Sequence, residues 1–289
     1  MGVIKSKTLN IKGCGKYSTN VEFYESAFDV VKDCKSRKIT SSSFYDYDNG
    51  YEIDESFTGV KTYDEALDLL KNGYQPTVQG LGRALRTNNR AIEKRIKFEN
   101  NIYGFSPVVP LALKGIPNSM INSQMKPIKC KVIDVYYDMT VCAGTSTKTI
   151  IENGEKILSA IIDLEKQGYR FNLYAVQCYA DSNSADCLCV KVKSSNKPLD
   201  LKRISFPLTH PAFFRVIGFD WYGKCPVAKY RSGYGHSPSR DFSDNQMKEF
   251  VKQTFGENAC YVNCAYAGDV SKTNLEEVFK NADTKAGEY

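Results

Sequence analysis

Hydrophobic and polar positions fall into their clearest order after residue 130. Lys131–Asp138, KVIDVYYD, is a β-branched and aromatic run that ends on a carboxylate, and it predicts a strand. A loop of small residues, Thr140 to Thr147, follows. Beyond it the apolar positions Ile150, Ile151, Ile157, Leu158, Ile161, Ile162 and Leu164 recur at helical spacing, which predicts a helix over 148–167 ended by Gly168. Tyr169–Tyr179, YRFNLYAVQCY, reads as a second strand. Strand, long helix and strand in this order form a crossover, which sets the two strands parallel.

Downstream, Cys187–Val192 follows a polar loop so closely that it is expected to pair antiparallel at an edge. Helices are predicted over Pro211–Tyr222 with Thr209 as cap, over Asp244–Phe255 with Ser243 as cap, and over Thr273–Phe279, with a short strand at Cys260–Ala265. The alternation reads as α/β, a doubly wound and mostly parallel sheet.

Upstream the periods are helical. Apolar residues at Phe23, Ala27, Val30, Val31 and Cys34 predict a helix over 23–35. Thr62 caps another over 62–72, with Glu65 as capping-box partner, Gly73 at the end and a buried stripe of Ala66, Leu69 and Leu70. A third is expected from Thr77 to about Asn100. Prolines 107, 110, 117 and 127, with Gly104 and Gly115, make 103–127 read as an irregular connector. The expected organisation is therefore an α-rich part over 1–128 and an α/β domain over 129–289.

Composition narrows the class. Of 289 residues, 42% are hydrophobic and 25% charged, enough to build a core and too apolar for disorder. No stretch approaches the ~18 apolar residues of a membrane span, so no membrane partner is expected. Ten cysteines suggest a disulfide scaffold, but the opening MGVIKSK lacks the apolar core of a secretory signal, and Cys130, Cys178 and Cys189 lie in apolar runs. A cytoplasmic chain with cysteines packed as small hydrophobes is expected. The net charge of +6 permits a nucleic-acid partner without requiring one.

The place to look for chemistry is the carboxyl end of the first crossover strand, where sheets of this kind bind ligands. There Asp138, Thr140 and Cys142 are spaced Asp-x-Thr-x-Cys, and Thr145, Ser146 and Thr147 follow. The pattern resembles that of von Willebrand A domains, which place Asp-x-Ser-x-Ser at this point and hold a magnesium ion there. Cys142 stands where the second hydroxyl belongs, and a thiol is a poor ligand for a hard cation. Two expectations stand side by side: no cofactor, with Asp138 capping the helix or bonding loop amides, or magnesium on Asp138, Thr140 and Cys142. The layout also resembles a family of tailed-phage proteins with no assigned activity, through Phe57–Gly73, Val108–Met120, Val135–Ser146 and Thr209–Phe219. That likeness implies a phage or prophage origin and a von Willebrand A-like C-terminal half.

Such domains usually mediate protein contacts. The leading expectation is a non-enzymatic accessory protein that binds a protein partner through the Asp138–Ser146 end, with Thr145, Ser146, Tyr230 and Tyr234 as contact residues. One alternative is nucleic-acid binding by a basic helix over 83–97, whose Arg83, Arg86, Arg90 and Lys94 share a face. Another is a metal- or cysteine-dependent hydrolase using Asp138, or Cys142 with His210. No nucleophile-elbow pattern supports the latter.

Overall fold

In a computed structural model the chain is described over residues 2–38, 52–86, 96–125, 129–227, 236–265, 270, 273–282 and 285–288. It opens with a hairpin, β1 (Val3–Ile11) and β2 (Gly15–Tyr24), closed by a turn with Gly13 and Gly15 at positive φ. The helices α1 (Ala27–Ser36), α2 (Glu55–Thr58), α3 (Tyr63–Asn72) and α4 (Gln75–Arg86) follow. Then come β3 (Ile96–Asn101), β4 (Ser106–Pro107), α5 (Val109–Leu113) and β5 (Met120–Met125). The remaining elements are β6 (Lys129–Asp138), α6 (Thr147–Lys166), β7 (Tyr169–Ala180), β8 (Ser184–Lys193), α7 (Leu201–Thr209), α8 (Phe219–Lys224), α9 (Asp244–Phe255), β9 (Ala259–Asn263), α10 (Leu275–Asn281) and β10 (Lys285–Glu288).

The crossover forms as its pattern requires. β6 and β7 lie parallel, Lys131 opposite Tyr169 and Asp138 opposite Val176, with α6 between them in the chain. Among the described residues the main sheet has seven strands. It runs β1-β2-β8-β7-β6, and β9 and β10 share the far edge of β6, opposite residues 134–138 and 129–132. Pairings β2–β8, β6–β7 and β6–β9 are parallel; β1–β2, β7–β8 and β6–β10 are antiparallel. The protein is thus α/β, and its sheet is mixed.

Period-2 alternation divides the side chains between two cores. One face carries Ile133, Val135 and Tyr137 of β6, Phe171, Leu173 and Ala175 of β7, and Leu188 and Val190 of β8, packed under α1, α3, α6, α7 and the 213–224 segment. The other carries Val176, Cys178, Cys187 and Cys189 under Phe250 and Val251 of α9. Seven of the ten cysteines are buried, and Cys142 is exposed.

Several expectations are corrected. The N-terminal part is not only helical: β1 and β2 extend the main sheet, with Ser18–Tyr24 along Ser184–Val190. The predicted helix over 23–35 begins at Ala27, because Phe23 belongs to β2. The helix expected over 77–100 stops being helical by 96, since Ile96–Asn101 pairs with Met120–Met125. Its Ile-Lys-Phe-Glu alternation suits a strand with one apolar and one polar face. Thr209 is not a cap but the last residue of α7, where its hydroxyl donates to the Ser205 carbonyl. The helix that follows widens to a π-turn over Phe213–Gly218, and the Phe213 carbonyl accepts a hydrogen bond from Gln177 Nε2.

α6 and α7 cross closely at Gly154. A Cβ there would lie 2.3 Å from the Leu208 carbonyl oxygen and 2.7 Å from Thr209 Cα. Gly154→Ala is expected to lower stability by about 1–3 kcal/mol, through the strain of an overpacked crossing. Gly82→Ala in α4, where a Cβ meets nothing within 4 Å, should be neutral or stabilising by up to about 1 kcal/mol. Urea midpoints of the two variants check both.

Candidate functional site

Asp138 ends β6, and its carboxylate is sealed in the interior, 0% exposed. Oδ1 accepts the Thr140 amide at 2.9 Å. Oδ2 accepts Ser237 Oγ at 2.6 Å, Tyr261 Oη at 2.6 Å and Asn263 Nδ2 at 3.0 Å. Burial raises its pKa above the ordinary 3.8, while hydrogen bonds, from Ser237 first, pull it back. One carboxylate thereby joins β6, β9 and the chain at 237. The backbone repeats the tie, since the Cys264 amide donates to the Asp138 carbonyl at 2.9 Å. A crevice of about 660 Å³ opens beside α9, with Tyr261 and Asn263 in its wall. Asp138 lies behind those side chains and does not line it.

The expected magnesium set does not fit this geometry. Both Asp138 oxygens already receive N–H or O–H donors, which turn protons rather than lone pairs toward the carboxylate. The Thr140 hydroxyl accepts the Cys178 amide at 2.8 Å. Cys142 is exposed, its sulfur 3.4 Å from Thr145 Oγ1. Among the described residues no group of three His, Cys, Asp or Glu side chains could hold a metal.

The loop beyond Asp138 is held by a residue that sequence reasoning did not single out. Arg215 is 1% exposed, stacks over the Phe57 ring at 4.1 Å and donates to the carbonyls of Phe57 (2.6 Å) and Thr145 (2.7 Å). Burial lowers its pKa to about 10, which leaves it charged at neutral pH. A single arginine inside the apolar run Phe213-Phe214-Arg215-Val216-Ile217 was the available signal. Ser146 caps α6, accepting the Thr149 amide at 3.1 Å, so its hydroxyl serves the helix. The Thr145 hydroxyl is the first of the contacts that lower the Cys142 pKa.

His210 is not brought to Cys142. Its Nδ1 accepts the Ala212 amide at 3.2 Å, and its ring packs 4.8 Å from Tyr74 and 5.7 Å from Phe206. Burial holds its pKa down at about 4, so the ring is neutral at physiological pH. The hydrogen bonds recorded for the two side chains are local, Cys142 with Thr145 and His210 with Ala212.

Only part of the basic candidate set lies within the described residues. Arg83 is exposed on α4 and Arg86 ends that helix, whereas Lys97 lies on β3 and pairs with Glu99 at 3.1 Å. Arg90, Lys94, Tyr230 and Tyr234 lie outside the described residues.

Residues 96–125, expected as helix end and connector, form a small antiparallel sheet ordered β3-β5-β4, with α5 beside it. None of its described side chains is buried. Phe98, Ile102, Tyr103, Phe105, Val109, Leu113 and Ile116 are 41–83% exposed, and they are seven of the nine exposed large hydrophobics in the described chain. The rings of Phe98 and Phe105 meet edge to face at 6.0 Å. This is a concentrated apolar surface on an otherwise well-packed protein.

A family model described as a domain of unknown function, DUF7192, matches residues 7–286. The chain belongs to the DUF7192 family. No curated protein and no solved structure matches it. The DUF7192 match runs unbroken through the expected boundary at 128, so the apolar arm and the main sheet fall within one family unit.

Two predictions follow from these side chains. Asp138→Asn would turn an amide toward Asn263 Nδ2 or the Thr140 N–H, both donors. It should cost about 1–3 kcal/mol in urea unfolding; unchanged stability would contradict the hub. His210 resists protonation in the fold, so the unfolded chain takes up a proton first as pH falls. Stability should drop between pH 6.5 and about 4, by on the order of 3 kcal/mol. His210→Asn retains an acceptor for the Ala212 amide and should flatten that part of the urea-midpoint profile.

Proposed function

We propose that this protein acts by binding another protein, and that the arm over residues 96–125 is its contact surface. The observation that carries this reading is the concentration of exposed large hydrophobics in this arm, seven of the nine in the described chain. A water-facing side chain of this kind gains about 1.5–3 kcal/mol when fully buried, and among the described residues no side chain of the arm is buried. An arm that holds its shape while its apolar side chains remain uncovered is best explained by a partner that covers it.

A von Willebrand A-like reading of residues 129–289 agrees with a binding role, since domains of that class mediate protein contacts. The resemblance to tailed-phage proteins suggests a phage or host protein as the setting for that role. In this reading the Asp138–Ser146 end is structural: the carboxylate and Ser146 are spent on the fold, and Arg215 restrains the loop. The weight shifts to the arm.

A photo-crosslinking residue placed at Phe105, and separately at Phe28, tests the reading in extract of the producing cell. Phe28 is 51% exposed and lies outside the arm. The Phe105 position should give one discrete protein adduct that Leu113→Ser in the same chain removes, and the Phe28 position should not. Equal adducts from both positions, or an adduct indifferent to Leu113→Ser, would overturn it.

A further inference from the structure

We infer that the partner covering the arm is a second copy of this chain, paired edge to edge along β3. This inference rests on the reading of the arm as a contact surface and names its occupant.

Two observations support a second copy. The first is topology. In the order β3-β5-β4, β5 is central and β3 ends the sheet among the described residues. A terminal strand presents a row of backbone donors and acceptors that another strand can meet.

The second is charge. Edge strands are often guarded by charged side chains, especially lysines, and a run of lysines repels a copy of itself. β3 carries Lys97 and Glu99, opposite in sign and two residues apart, on the same face and on either side of Phe98. Antiparallel pairing about a two-fold axis at Phe98 sets Lys97 opposite Glu99 of the second copy, and Glu99 opposite its Lys97. The two Phe98 rings then face one another across the axis. A contact of this kind is isologous and closes at two subunits. It joins the two three-stranded arms into one six-stranded sheet, and opposite charges directly across antiparallel strands stabilise the pairing.

Charge exchange tests the register. Lys97→Glu sets Glu against Glu, and Glu99→Lys sets Lys against Lys. Each interface contains the contact twice, so either variant should weaken association by about tenfold. The double variant Lys97→Glu/Glu99→Lys restores opposite charges and should associate like the wild type. Mixing the two single variants should also restore association, because each then faces its complement. Both side chains are at least one-third exposed (60% and 34%), so the fold should tolerate the exchange; circular dichroism checks this.

The measurement is sedimentation velocity of the purified full chain across a wide concentration range. A wild-type dimer, weakened singles and a recovered double and mixture are expected. A wild type that stays monomeric, or four samples that associate alike, would refute self-pairing. If the wild type is monomeric while Phe105 still yields its discrete adduct in extract, the arm binds a different protein and only the choice of partner fails. If that adduct is absent as well, both readings fail together.

Discussion

Apolar side chains left facing water carry a standing cost that burial removes, and among the described residues those of 96–125 stay exposed. The main sheet shows the contrast. Its strands are covered on one face by α1, α3, α6 and α7 and on the other by α9, and Phe171, Val176, Leu188 and Val190 are wholly buried. The same chain leaves Leu113 83% exposed, with six more large hydrophobics beside it. A protein that packs the central strands of one sheet and leaves another largely exposed has an unmet demand for cover, which the proposed association would supply.

Elsewhere the protein is held together by buried polar groups with specific partners. Glu22 receives both Arg37 guanidinium nitrogens and Trp221 Nε1, which ties β2 to α1 and α8. Lys193 and Glu165 pair at 2.7 Å between β8 and α6, and Lys224 and Asp220 pair at 2.7 Å in α8, each with little exposure. Asp138 performs the same service at the end of β6. Each carries a desolvation cost that only its partners offset, so removing one partner is more damaging than the worth of the pair suggests. This explains how an acid at the usual ligand end of a sheet can belong to the scaffold.

The parts of the fold that were legible in the sequence are those decided locally. Thr62, Glu65 and Gly73 bound α3 because caps act within one turn: Thr62 accepts the Glu65 amide, and Gly73 takes φ of 77°. The capping box of Ser243 and Gln246 opens α9 for the same reason. The crossover from β6 through α6 to β7 follows from a change of period that needs no distant information. What escaped depends on distant residues. Lys97 reads as helical beside Arg83 and Arg86, and only pairing with Met120–Met125 makes its segment a strand. Pro107 and Pro110 suggest a structureless connector. Yet one ends a two-residue edge strand and the other sits in the first turn of α5, the places where proline is tolerated. α7 was hidden by Pro207 within it. At the candidate site, spacing located Asp138 correctly at its strand end. Its burial depends on Ser237, Tyr261 and Asn263, about a hundred residues away or more, and no local pattern announces them.

Amide hydrogen exchange of β3 and β5 bears most directly on whether the arm is a covered surface. In purified protein, slow exchange over 96–101 and 120–125 at high chain concentration, giving way to fast exchange on dilution, is the expected result. The β6 and β7 amides should stay equally protected throughout. Arm amides that exchange at one rate at every concentration, fast or slow, would contradict self-association as the source of that cover.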